Sequence, residues 1–188
     1  MTRISAFFAA GVLAIASLGA NAAIYTTTFQ QVGSDVVATG AGEFDLTGMI
    51  AGFSGPQENR IWSQLGFFLF GSGNFFFFDL AMTGPGVFGT GGQVNATSFS
   101  GDQVGIWTQV NRIYVPVGYV SGDDLANSAT WAGQTLADLG LTDGTFSYTF
   151  GNNTFNVVVG GVTTVPEPAS LALLALGLAG LGFSRRRR

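Results

Sequence analysis

Glu43 and Asp45 are separated by one residue and Asp123 and Asp124 by none, and these two pairs are the closest that the chain comes to acid–base machinery. On an extended segment residues i and i+2 share a face, so Glu43 and Asp45 would stand side by side, where they could hold a cation or form the two-carboxylate pair that glycoside hydrolysis needs. Asp123 and Asp124 would point to opposite faces of a strand, or be solvated in a turn. Nothing else in the chain joins either pair, and no catalytic residue is assigned. The 188 residues include no histidine, cysteine or lysine. Ser-His-Asp and Cys-His nucleophile systems, His/Cys zinc sites, cysteine-ligated iron–sulfur clusters and disulfides are therefore excluded.

Two kinds of binding chemistry are left. Asp102, Asp123, Asp124, Asn127 and Asp143 lie in Gly/Ser/Asn-rich stretches and carry the hard oxygen ligands that calcium takes. No segment follows the Asp-x-Asp-x-Asp-Gly loop, however, and no ligand set is assigned. Trp62, Trp107, Trp131, Tyr114 and Tyr119 offer flat faces of the kind that line saccharide sites, core packing being the ordinary alternative for each. Thr26-Thr27-Thr28 is an isolated run without a regular threonine array after it. Charge argues against a nucleic-acid partner. Residues 23–168 contain two arginines, Arg60 and Arg112, and all eleven carboxylates, a net charge of −9.

Both ends read as addresses. Arg3, an apolar run from Ala6 to Leu18 and the small residues Ala20 and Ala22 form the pattern of a secretory signal peptide over 1–22, cleaved after Ala22 by signal peptidase. At the other end stand Val165-Pro166-Glu167-Pro168, an apolar stretch 169–183 and the arginines Arg185, Arg186, Arg187 and Arg188. The two prolines force an extended break, and Pro168 suits the first turn of a following helix. Fifteen apolar residues as a helix span about 22 Å against a hydrocarbon core of about 30 Å, enough to enter the inner membrane but short for a permanent span. The arginine cluster would keep that end cytoplasmic.

The segment 165–188 resembles the PEP-CTERM sorting signal of Gram-negative bacteria. It has the Val-Pro-Glu-Pro motif, the Leu/Ala/Gly-rich helix and the arginine tail in the right order. The resemblance implies that Pro166, Glu167 and Pro168 are recognised by a membrane-embedded exosortase, so that they are a substrate's residues. It further implies an exported protein, held transiently at the membrane by its tail and then delivered to the cell surface or extracellular matrix among exopolysaccharide. The stretches 31–39 and 115–122, with 129–131 and 139–146, also resemble an ectodomain type found upstream of such tails, which implies a shared β fold and no activity.

Between the addresses, residues 23–164 are the right size for one domain. Short alternating segments predict strands at 24–31, 36–46, 61–70, 74–82, 94–99, 104–108, 111–120 and 128–132. A hairpin is predicted at 145–159, turning through Gly151-Asn152-Asn153-Thr154. Only Gln134–Leu139 reads as helical, stopped by Gly140. Many short strands without helical crossovers predict an all-β fold, an antiparallel β-sandwich or jelly-roll-like domain flanked by the signal peptide and a single C-terminal hydrophobic helix. Phe67-Phe68-Leu69-Phe70 and Phe75-Phe76-Phe77-Phe78 are apolar on both faces and are expected in the core, the alternative being a sticky aromatic surface. The function expected is a non-enzymatic surface or matrix component. The alternatives are a secreted carbohydrate-active enzyme with paired carboxylates and a permanently tail-anchored periplasmic protein.

Overall fold

A computed structural model describes residues 22–160. Most of the signal-peptide segment, Ala20 included, the whole 165–168 motif, the apolar stretch 169–183 and Arg185–Arg188 lie outside the described residues. Ala22 is exposed and leads directly into the first strand.

Thirteen strands carry the fold. They are β1 (Ala23–Val32), β2 (Asp35–Gly42), β3 (Ala51–Gly55), β4 (Arg60–Trp62), β5 (Phe67–Phe70), β6 (Phe75–Asp79), β7 (Gln93–Asn95), β8 (Ser98–Gly101), β9 (Val104–Trp107), β10 (Arg112–Pro116), β11 (Leu125–Trp131), β12 (Gly144–Phe150) and β13 (Asn153–Val159). They form two sheets, a six-stranded one in the order β12-β13-β1-β2-β11-β8 and a seven-stranded one in the order β3-β6-β10-β9-β5-β4-β7. The all-β sandwich expected from the sequence is therefore present. Neighbours are antiparallel except β1 and β13, which run parallel, Ala23 beside Asn153 and Phe29 beside Val159. A parallel pair needs a long connection, and nearly the whole domain intervenes between these two strands.

The alternation that predicts the strands also decides what they bury. Ala23, Tyr25, Thr27 and Phe29 of β1 and Asn153, Phe155, Val157 and Val159 of β13 point inward. They meet Phe68, Phe70, Phe78, Ile106, Ile113 and Val115 of the facing sheet, with Trp131, Phe44 and Phe88 filling the space between. Rings pack edge-on or tilted, as their quadrupoles favour: Tyr25 on Phe155 at 5.1 Å and Phe29 on Phe68 at 5.3 Å.

Four predicted elements change in the fold. The segment 61–70 is not one strand: a 3-10 turn at Ser63–Leu65 separates β4 from β5. The segment 94–99 splits between β7 and β8, which belong to different sheets. The hairpin turn is two residues, Gly151-Asn152, and Asn153 already belongs to β13, where its buried amide exchanges hydrogen bonds with both backbone groups of Asp45. Residues 134–139 make a single turn. Thr135 and Asp138 exchange the reciprocal hydrogen bonds that start a helix, but Gly140 at φ 60° ends it before propagation offsets nucleation. Strand β3 escaped prediction because Ala51–Gly55 is short, largely exposed and carries two glycines, with no alternation of buried and exposed positions.

All four tyrosines are held neutral above the ordinary phenol range, burial being the leading cause at each. A raised phenol pKa stabilises the fold fully below about pH 10 and is lost progressively as the pH climbs above it. With no histidine, cysteine or lysine side chain to titrate, stability is expected to be flat from about pH 5 to 9 and to fall steeply beyond about pH 10. Tyr148 sharpens the test, because its hydroxyl is buried with no hydrogen-bond partner among the described residues. Tyr148→Phe is expected to raise stability by about 1 kcal/mol at pH 7 and to soften the alkaline loss, read from urea midpoints at pH 7, 9 and 11.

Candidate functional site

The two phenylalanine runs divide between two buried clusters. In each, alternate residues face opposite ways. Phe68 and Phe70, like Phe76 and Phe78, pack between the sheets, whereas Phe67, Leu69 and Phe75 form a second cluster with Tyr114 on the outer face of the seven-stranded sheet. The expected burial of these runs holds for Phe67–Phe70, Phe75 and Phe78, with Phe76 and Phe77 partly buried; the sequence does not show that the rings divide between two clusters. Strand alternation sends every second ring outward, and the outward rings bury one another.

Register shows how this outer face is built. Trp62 lies opposite Phe67, Phe67 opposite Trp107, Trp107 opposite Arg112, and Arg112 opposite Asp79, so one row crosses five strands on a single face. At the usual strand spacing of about 4.8 Å the row is about 19 Å long. A second row runs beside it through Arg60, Leu69, Gly105, Tyr114 and Phe77. Phe67, Trp107 and Arg112 of the first row and Arg60, Tyr114 and Phe77 of the second line an open groove of about 250 Å³, bounded also by Phe53, Phe75 and Glu58. A smaller hollow of about 60 Å³ lies among Arg60, Trp62, Leu65, Phe67 and Trp107, room for a water or a hydroxyl group.

Two copies of one local device present the tryptophans. Ile61-Trp62-Ser63-Gln64-Leu65-Gly66 and Ile106-Trp107-Thr108-Gln109-Val110-Asn111 match position by position. In each, the tryptophan ends a strand, three residues form a 3-10 turn, and a left-handed residue starts the next strand, Gly66 at φ 58° or Asn111 at φ 55°. Glycine and asparagine are the residues that tolerate this conformation. The two turns also touch, Gln109 Nε2 donating to the Gln64 carbonyl at 3.1 Å and the Thr108 N–H to the Gly66 carbonyl at 2.9 Å.

The groove's charges come in neutral pairs. Arg112 grips Asp79 with two hydrogen bonds, Nε to Oδ1 at 2.6 Å and Nη2 to Oδ2 at 3.1 Å, and its guanidinium lies 3.8 Å over the Phe77 ring. The Asp79 bonds push the Arg112 pKa still higher. Arg60 pairs with Glu58 at 2.6 Å and lies 5.3 Å from the Phe67 centroid. These are the only arginines within 22–160. Three donors on this face are buried without an acceptor among the described residues, Trp62 Nε1, Trp107 Nε1 and Arg60 Nε. Each such group costs about 1–3 kcal/mol unpaired, and native structures keep few of them.

Of the five aromatics singled out in the sequence, the fold brings together Trp62, Trp107 and Tyr114. Trp131 is fully buried between the sheets, its indole N–H donating to the Val94 carbonyl at 3.2 Å. Tyr119 is tied to a loop, its hydroxyl accepting from the Phe44 N–H at 2.8 Å. None of the carboxylate candidates lines the groove. Strand β2 ends at Gly42, before the Glu43–Asp45 pair, and Phe44 between them enters the core. Asp45 is held below the usual carboxylate range by hydrogen bonding to Thr47, chiefly its side chain and then its N–H, which donates to Oδ1 at 3.0 Å. Asp123 and Asp124 are exposed in a turn. Asp102 and Asn127 meet, but for structural bonds: Asp102 Oδ2 accepts from the Ala126 N–H and Asn127 donates to the Asp102 carbonyl. Among the described residues no group of three or more acidic side chains converges on a point that could hold a metal ion. Nor is any helix among them long and apolar enough to cross a membrane.

Sequence reasoning missed Arg60, Arg112, Glu58, Asp79, Phe67, Phe75 and Phe77 as one surface. The signal that could have found it is the Ile-Trp-Ser/Thr-Gln repeat, whose two copies, 45 positions apart, mark two hairpins of one sheet.

No curated protein and no solved structure matches the chain. A family model does match its C-terminal part: residues 164–188 fit the PEP-CTERM protein-sorting motif, so the chain carries the sorting signal of a PEP-CTERM protein, exported and targeted to an exosortase.

Proposed function

We propose that the protein is a non-enzymatic component of the cell surface or extracellular matrix that holds saccharide chains in its aromatic groove. In this reading the tail tethers it to the inner membrane only until the exosortase acts, and exopolysaccharide is the medium in which it then resides. The observation that carries the proposal is one continuous surface: two half-buried tryptophans in one row, Trp107 in the groove and Trp62 in the adjoining hollow, flanked by arginine–carboxylate pairs on a sheet face that no other element among the described residues covers. Apolar faces of sugar rings stack on indoles, and the paired arginines and carboxylates offer donors and acceptors to hydroxyl groups.

Binding rather than cleavage is favoured because the groove's own carboxylates, Glu58 and Asp79, are engaged by Arg60 and Arg112. Trp107→Ala is expected to weaken retention on an immobilised host exopolysaccharide at least tenfold, about 1.4 kcal/mol, measured where both proteins are fully folded, since the truncation also removes a ring packed on Phe67. Retention equal to that of the unaltered protein would remove the groove from the proposal.

A further inference from the structure

Resting on the saccharide reading of this groove, we infer that its ligand is an uncharged, extended glycan chain that covers both tryptophans at once. The charge argument starts from the domain. Residues 22–160 carry two arginines against ten carboxylates, so a polyanion approaching the protein meets net repulsion within the reach of its field, about 8–10 Å at ordinary salt. The two cations that could offset it are both in the groove and both already matched, Arg60 by Glu58 and Arg112 by Asp79, each at 2.6 Å. An acidic sugar would have to displace a protein carboxylate from its arginine. A neutral sugar does not: it hydrogen-bonds to the outer edges of the pairs and leaves them intact.

The length argument starts from the repeat. The two Ile-Trp turns are equivalent, and the strands that carry their tryptophans are separated by one strand, so the two indoles stand two strand spacings apart, about 10 Å. One ring stacked on one indole cannot reach the other. A chain running along the row, across the strands, meets Trp62 and Trp107 in turn and continues toward Arg112, whose guanidinium caps Phe77. Two weak subsites on one rigid sheet act together, so affinity should climb with chain length well beyond what a single ring gives.

The test uses the full chain in mild detergent, with a neutral glucan, a neutral mannan, polygalacturonate and alginate as probes, each as monosaccharide, tetrasaccharide and polymer, at 20 and 500 mM NaCl. The expected result is binding to a neutral glycan that changes less than twofold with salt, rises at least tenfold from monosaccharide to tetrasaccharide, and falls at least tenfold in Trp62→Ala and in Trp107→Ala. Trp107→Phe, which keeps a ring, should retain most of it and guards against a folding artefact. Binding confined to the two polyuronates and lost in 500 mM NaCl would overturn this inference and leave the saccharide reading standing. Equal affinity for monosaccharide and tetrasaccharide would likewise overturn the two-subsite arrangement alone. Failure of all four probes in every form would count against the saccharide reading itself.

Discussion

Replacing Pro166, Glu167 and Pro168 together by alanine is expected to abolish tail removal, converting a processed protein into one that keeps Arg185–Arg188 and stays with the membrane. The reasoning joins the motif to the domain that precedes it. The last strand, β13, is interior to its sheet, paired with β12 on one side and β1 on the other, and the Gly160 N–H is still bonded to the Phe29 carbonyl at 3.0 Å. Only residues 161–165 separate this fixed point from Pro166. Five residues span at most about 18 Å even when fully extended. The folded domain must therefore sit close to the processing enzyme, which has little chain to search, and recognition has to come from the local character of the motif. Two prolines around a glutamate supply it, by fixing φ, disfavouring helix at the preceding residues and placing one charge in an otherwise apolar stretch. Alanines would let the helical tendency of 169–183 spread upstream and erase all three features. Intact masses from membrane, surface and culture-fluid fractions of the host read the outcome. The unaltered protein should lack both 1–22 and the arginine tail, whereas the triple variant should lack 1–22 alone. Retention of Arg185–Arg188 in the unaltered protein would make the tail a permanent anchor. Because β13 is held on both sides, tail loss should leave the unfolding midpoint of the domain unchanged.

The contrast between tail and groove shows which physics a single sequence displays. The tail is legible because its signals are local: proline geometry, a run of apolar residues and a charge cluster are read position by position. Strands such as β1 and β13 are legible for the same reason, since Tyr25, Thr27 and Phe29 or Phe155, Val157 and Val159 mark one face at every second position. The groove depends on which strand lies beside which. Nothing local says that the Glu58–Arg60 pair shares a face with Arg112 and Asp79, because that follows from the order β6-β10-β9-β5-β4. The phenylalanine runs were ambiguous for a related reason. Apolar residues on both sides hide the period of two, and only the partners across the sheet show that Phe67 faces outward and Phe68 inward. Small elements such as β3 exist through pairing alone, against Phe75, Phe76 and Phe78.

Asn127→Ala is expected to cost the domain about 3–5 kcal/mol, a large share of the total stability of a domain this size. Asn127 reaches from β11 to three groups at once. Its Oδ1 accepts from the Tyr25 hydroxyl at 2.8 Å, and its Nδ2 donates to the carbonyls of Phe70 at 2.9 Å and Asp102 at 3.0 Å. Tyr25 is in one sheet and Phe70 in the other, so this amide is a polar fastening across an otherwise apolar interior. The strand between them accommodates it: a Cβ on Gly40 would strike both the Tyr25 hydroxyl and Asn127 Oδ1. Truncation would orphan one buried donor and two carbonyls. Tyr25→Phe should cost less, about 1–2 kcal/mol, because only the Asn127 oxygen loses a partner. The double variant should cost about 1 kcal/mol less than the two singles added, since both delete the same bond. Urea unfolding of the four proteins measures this cycle, and a loss below about 1 kcal/mol in Asn127→Ala would mean that water replaces the amide. Tyr25 and Tyr148 then make an internal comparison. Both are buried and both have raised phenol pKa values, yet Tyr25→Phe is expected to destabilise and Tyr148→Phe to stabilise. Burial is common to the two rings, so the opposite signs isolate the one feature that differs, the presence of an acceptor for the hydroxyl.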